Sequence, residues 1–106
     1  MARTIITAPL KASPGQIVEI RTLIGHPMET GFRPDANGEL MPRDLIRRFR
    51  CRYNGEQVFS VELFPAMSAN PFIAFHLRAT VSGPIELSWE GDKDFRHVET
   101  LSLQVA

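Results

Sequence analysis

Asn54-Gly55 joins two runs of alternating apolar and polar residues, and this constrains the fold more than any other feature of the chain. Both residues tolerate the positive φ that a two-residue type I′ turn demands, so segments 45–53 and 56–64 are expected to pair as an antiparallel hairpin. In 45–53, Leu45, Phe49, Cys51 and Tyr53 fall on one face and Arg48, Arg50 and Arg52 on the other. In 56–64, Phe59, Val61 and Leu63 oppose Ser60 and Glu62. The same period of two recurs elsewhere. Segment 16–24 sets Val18, Ile20 and Thr22 against Glu19, Arg21 and Leu23, and 72–79 sets Ile73, Phe75 and Leu77 against His76 and Arg78. Segment 84–90 turns Ile85, Leu87 and Trp89 inward and Glu86, Ser88 and Glu90 outward. Segment 95–104 has strand-like β-branched and aromatic content, and Thr4-Ile5-Ile6-Thr7 forms a short first strand ended by Pro9. No apolar pattern of period 3.6 persists for ten residues, which limits helix to a single turn around 66–70.

About seven short strands separated by turn residues predict an all-β, immunoglobulin-like antiparallel β-sandwich. Its 106 residues form one domain, 1–106, with Trp89, Phe75, Leu63, Leu87 and Ile20 in a common core. The cysteine pair of antibody domains is absent: Cys51 is the single cysteine, so no intrachain disulfide forms. Twelve basic and twelve acidic residues cancel, leaving no net field to draw in nucleic acid or an anionic membrane. Met1 to Leu10 lacks the apolar stretch of a signal peptide, and no window has the length and apolarity of a membrane span. Read from composition alone, the chain is a soluble cytoplasmic domain.

Loop 25–44 is too long and polar for an ordinary connection, and long loops in small domains more often serve binding than packing. Its own turn, Asp35-Ala36-Asn37-Gly38, between Phe32-Arg33 and Leu40-Met41, predicts a protruding hairpin arm. At its start, Gly25 and Gly31 permit positive φ, while Pro27 pushes His26 towards extended geometry. The polar and soft side chains of His26, Met28, Glu29 and Thr30 ride on that backbone. Residues His26, Pro27, Met28, Glu29, Thr30 and Gly31 are therefore the candidate partner-binding surface. Replacing His26, Met28 and Glu29 by alanine is expected to leave the thermal midpoint largely unchanged.

Catalytic candidates are few. His26 near Glu29 offers an acid–base pair, but no second histidine or cysteine lies near it in sequence, and His76 and His97 sit on separate strands. Turn-shaping or partner contact is the stronger reading. Cys51 shares its face with Phe49 and Tyr53, which points to a buried, inert thiol. The stripe Arg48, Arg50, Arg52 reads as a solvated face paired to glutamates before it reads as an anion dock. No phosphate loop, nucleophile elbow or metal spacing appears, and Ser60, Ser68 and Ser88 lack a recognisable adjacent base. These readings predict no enzyme, no cofactor and no metal site.

Two segments carry a resemblance. Ile24-Gly25-His26-Pro27-Met28-Glu29-Thr30-Gly31 and Phe59-Ser60-Val61-Glu62-Leu63-Phe64-Pro65-Ala66-Met67-Ser68-Ala69-Asn70-Pro71, at this separation, resemble the Z subunit of the Sox (sulfur-oxidation) thiosulfate carrier, over roughly residues 12–100. The resemblance implies a non-catalytic subunit that pairs with SoxY, whose flexible carboxyl-terminal tail bears the cysteine that holds the sulfur intermediate. It implies transient contact with other Sox enzymes, and a periplasmic location reached by export together with SoxY rather than by a signal of its own. It also overrides the cytoplasmic reading. The arginine stripe inherits no role from it. The alternative is a self-associating immunoglobulin-like module outside sulfur transfer, which leaves a homodimer of the isolated chain open.

Overall fold

The computed structural model describes residues 3–63 and 69–106. Eight strands run β1 (Thr4–Thr7), β2 (Lys11–Ala12), β3 (Ile17–Ile24), β4 (Ile46–Tyr53), β5 (Glu56–Glu62), β6 (Phe72–Arg78), β7 (Gly83–Gly91) and β8 (Arg96–Val105). They form a three-stranded sheet, β1-β3-β6, and a five-stranded sheet, β2-β8-β7-β4-β5. No helix occurs among the described residues. The chain is the expected all-β, immunoglobulin-like sandwich. The helical turn expected around 66–70, and the end of the strand expected over 56–64, lie largely outside the described residues.

Asn54 and Gly55 take φ of 52° and 82°, the type I′ geometry that sets Tyr53 opposite Glu56. Six of the seven expected strands match in place to within a residue or so. The eighth was not foreseen. β2 is two residues long and runs parallel to β8, with Lys11 beside Gln104 and Ala12 beside Val105. The Gln104 amide donates to the Leu10 carbonyl and the Ala106 amide to the Ala12 carbonyl, at 2.9 and 3.1 Å. Two residues are too short for a period to show.

Aromatic side chains knit the sheets together. Phe75 on β6 stacks on Phe59 of β5 at 4.5 Å and meets Phe49 of β4 edge-on at 5.7 Å, while Phe49 packs on Trp89 at 5.1 Å. Such pairs contribute about 0.5–1.5 kcal/mol each beyond their buried area. Ile20, Leu63, Phe75, Leu87 and Trp89 all lie in this core. Ser88 departs from expectation: it is buried, not outward-facing. β7 is an interior strand, and the register sets Ser88 between Arg50 and Val98, whose larger side chains flank it.

The segment between β3 and β4 projects as the expected arm from a molecule measuring 59 × 21 × 19 Å. Antiparallel bridges join Glu29 to Asp44 and Pro34 to Leu40. Asp35 closes the tip, its carboxylate accepting the Asn37 and Glu39 amides at 2.8 and 3.0 Å. Gly38, at φ 81°, completes that turn.

Candidate interaction site

The inward alternation of β3 does not stop where the strand ends. Val18, Ile20, Thr22, Ile24, His26 and Met28 are all buried, so the core-facing row continues into the root of the arm. His26 retains 6% of its surface and Met28 4%. The sequence analysis placed both in the candidate partner-binding surface on their residue types alone; in the isolated chain both lie in the buried row. Pro27 faces outward between them, with Glu29, Thr30 and Gly31 half-buried.

Backbone geometry explains the turn inward. Gly25 does not adopt a positive φ, whereas Met28 does, at 50°, with Gly31 at 87°. Left-handed backbone at a methionine carries strain and must be held by its surroundings. The Met28 amide donates to His26 Nδ1 at 3.0 Å, and Met28 Sδ accepts the Ile46 amide at 3.3 Å. With Nδ1 an acceptor, the neutral ring carries its proton on Nε2, which faces Asp44 Oδ1 at 3.6 Å. Phe95 packs edge-on against the ring at 5.0 Å. Burial lowers the His26 pKa, and the nearby carboxylates of Asp44 and Asp92 only partly oppose this.

Asn70 clamps the other side of the root. Its side-chain oxygen accepts the His26 amide at 2.9 Å and its own amide donates to the His26 carbonyl at 2.7 Å. Asp92 ties the returning strand: its carboxylate accepts the Leu45 amide at 3.1 Å and pairs with Arg43 at 2.9 Å, with Arg47 at 3.8 Å. Burial pulls the Asp92 carboxyl upward, but the Leu45 amide and the two guanidinium groups outweigh it and hold the pKa below its usual value. Asn70, Asp92 and Phe95 come from distant segments, and the sequence analysis assigned them no part in the arm; Asp44 lies at the arm's own far end, where it was given no role. The Asn70 φ of 54° follows from asparagine's tolerance of left-handed backbone.

The acid–base pairing of His26 with Glu29, which the sequence offered as the weaker reading, does not form. Glu29 binds Arg33 at 2.7 Å, and that bond is the main reason its pKa is lowered. Thr30 Oγ1 accepts the Phe32 amide at 3.2 Å. Gly31 sits so near Arg43 that an added Cβ would lie 3.2 Å from the Arg43 Cβ. His76 and His97 are elsewhere, beside Glu19 at 3.7 Å and Glu99 at 2.9 Å. Among the described residues no three histidine, cysteine or acidic side chains gather as a metal site would require.

The remaining candidates are structural in setting. Arg48 pairs with Glu62 at 3.4 Å, Arg52 with Glu86 at 3.5 Å and Arg50 with Glu90, so the stripe is charge-paired across neighbouring strands. Cys51 has no accessible surface, and burial pushes its thiol pKa up to about 12. Among the described residues no helix is long and apolar enough to cross a membrane.

These features define a small immunoglobulin-like sandwich whose most elaborately built region is a projecting, cross-braced arm. Comparison with solved structures agrees on the fold. The chain resembles superoxide reductase (neelaredoxin) from Ignicoccus hospitalis, at 20% identity and TM-score 0.72 over 97% of this chain and 80% of that one. It resembles a putative superoxide reductase from Thermotoga maritima at 17% identity and TM-score 0.72, over 97% and 85%. It also resembles the sulfur carrier protein SoxY from Chlorobium limicola f thiosulfatophilum at 13% identity and TM-score 0.66, over 97% and 78%. Comparison with curated proteins found no match. The model of the sulphur oxidation protein SoxZ family matches residues 6–102, so the chain belongs to that family and to the Sox sulfur-oxidation system.

Proposed function

We propose that this chain is the non-catalytic Z subunit of the SoxYZ carrier in bacterial thiosulfate oxidation. It pairs with SoxY, whose carboxyl-terminal cysteine holds the covalently bound sulfur intermediate, and the pair meets other Sox enzymes transiently. The location is the periplasm, reached in complex with SoxY.

One observation carries this reading beyond family membership. A subunit that itself held the sulfur intermediate would need a thiolate within reach of client enzymes. The only cysteine here, Cys51, is sealed between Phe49 and Tyr53 on the inner face of β4, and its pKa of about 12 keeps it protonated. This supports the reading in which a partner carries the covalent chemistry and this subunit contributes surface.

The test is reconstitution. The chain and its SoxY-type partner should co-elute as a one-to-one complex and support thiosulfate-dependent turnover with the remaining Sox enzymes. Cys51→Ala should support the same turnover. Turnover by the SoxY-type partner alone at the wild-type rate would overturn the proposal.

A further inference from the structure

Among the described residues both exposed phenylalanines, Phe32 and Phe72, lie at the end of the molecule that bears the arm, with Ile5 and Leu40 beside them, while Leu10, Ile17 and Val81 are exposed at the other end. On the outer face of the three-stranded sheet, Ile5, Leu23 and Phe72 stand side by side, one from each strand, in register. Ile5 is 60% exposed and Phe72 58%. Farther along the same face Arg21 pairs with Glu19 and His76 lies beside them, and beyond these charges the exposed Ile17 stands next to Arg78. On the arm, the Pro34–Leu40 bridge and the Met41 amide bond to the Arg33 carbonyl set a register that brings Phe32, Pro34, Leu40 and Pro42 to one face. Phe32 is 78% exposed and Leu40 64%. The two parts are joined through the root: Leu23 is three residues before His26, and Asn70, which clamps His26, is two residues before Phe72.

We infer that the sheet row Ile5-Leu23-Phe72 and the apolar arm face led by Phe32 and Leu40 together form the surface on which the SoxY-type sandwich docks. This rests on the pairing proposed above and adds where it occurs. The area supports that occupant. Phe32, Leu40, Ile5 and Phe72 together expose ~500 Å² of apolar surface, near the top of what a monomer leaves uncovered. One side of a standard interface, about 800 Å² and somewhat over half apolar, contains about 450 Å² of such surface. A flat row across three strands suits the face of another sheet better than a single extended peptide, which adds along an edge or enters a groove. The charges of Arg21, Glu19 and His76 lie at the margin, as in an interface with an apolar centre and a polar rim.

The test uses the full chain and titrates it with the SoxY-type subunit by calorimetry. Phe32→Ser with Leu40→Ser, and separately Ile5→Thr with Phe72→Thr, should each weaken affinity by about 30-fold or more, as loss of central apolar contacts does. Thermal midpoints should stay close to wild type, since these side chains touch solvent in the free chain. Val58→Thr with Val81→Thr, exposed apolar positions outside this surface, should bind as wild type does. Wild-type affinity in both arm and sheet variants would overturn this surface and leave the pairing standing. Failure of the unaltered chain to bind the SoxY-type subunit would overturn the pairing and this occupant together. Self-association of the chain, abolished by the same variants, would then place a second copy there instead.

Discussion

The ring of His26 accepts the backbone amide of Met28, two residues on, at 3.0 Å, and this one bond closes the root of the arm. It holds Met28 in left-handed backbone and aims its thioether into the core, where Sδ receives the Ile46 amide from the start of β4. The strand entering the arm and the strand leaving it are thus tied through a histidine and a methionine that solvent barely reaches.

Met28→Ala should destabilise the domain by about 2–4 kcal/mol, the range for truncating a buried long apolar side chain. Met28→Leu restores volume but removes the sulfur acceptor, so it should recover part of that loss. Urea unfolding of the two variants gives the comparison directly. The same geometry predicts that replacing His26, Met28 and Glu29 together with alanine lowers the thermal midpoint, against the expectation from sequence. An unchanged midpoint would show that the root does not support the fold.

The buried, neutral His26 should make stability depend on pH in a defined direction. Its folded pKa lies below the ordinary 6.5, so the unfolded chain takes up a proton near pH 6.5 while the folded chain resists it. Stability is therefore full above that point and declines as pH falls through 6.5 towards the lower folded value. Thermal melts from pH 7.5 to 5.5 should show this decline in the wild type and a shallower one in His26→Gln. Equal slopes would remove His26 as the cause.

Asp92→Ala removes the acceptor for the Leu45 amide and the partner of Arg43. Loss of one buried-side hydrogen bond and its ion pair should cost about 1–3 kcal/mol. Hydrogen exchange should quicken at Leu45 and Asp44 while the amides of β3 and β6 stay protected. Uniform quickening across both sheets would mean that Asp92 supports the whole sandwich and not the arm in particular.

Cys51→Ala should fold and cost about 1–2 kcal/mol, as expected for trimming one buried atom group. In the native wild type the thiol should resist alkylation by iodoacetamide at pH 8, because both access and the thiolate are denied. Rapid labelling of the folded protein would contradict its burial.

The hairpin at Asn54-Gly55, the inward rows of β3, β4, β6 and β7, the burial of Trp89 and Cys51 and the tip of the arm were all legible in the sequence. Each depends on side-chain period or on turn chemistry within a few residues, and a linear reading sees both. The row Val18 to Ile24 was legible for the same reason, yet its continuation through His26 and Met28 was not. A glycine, an imidazole and a proline interrupt the apolar alphabet there, although the backbone keeps its alternation.

What the sequence determined by itself was a two-sheet sandwich with an arm between β3 and β4, because local alternation and turn residues specify which face of each strand points inward. Tertiary structure alone decided that His26 turns inward to Met28, Asp44 and Phe95, that Asn70 and Asp92 clamp the arm from segments more than forty residues away, and that Ser88 is covered by its neighbours. It also decided that Ile5, Leu23 and Phe72 form one apolar row. Apart from the His26–Met28 bond, these relationships join residues far apart along the chain, which meet only when strands pair within each sheet and the root of the arm packs between its neighbours.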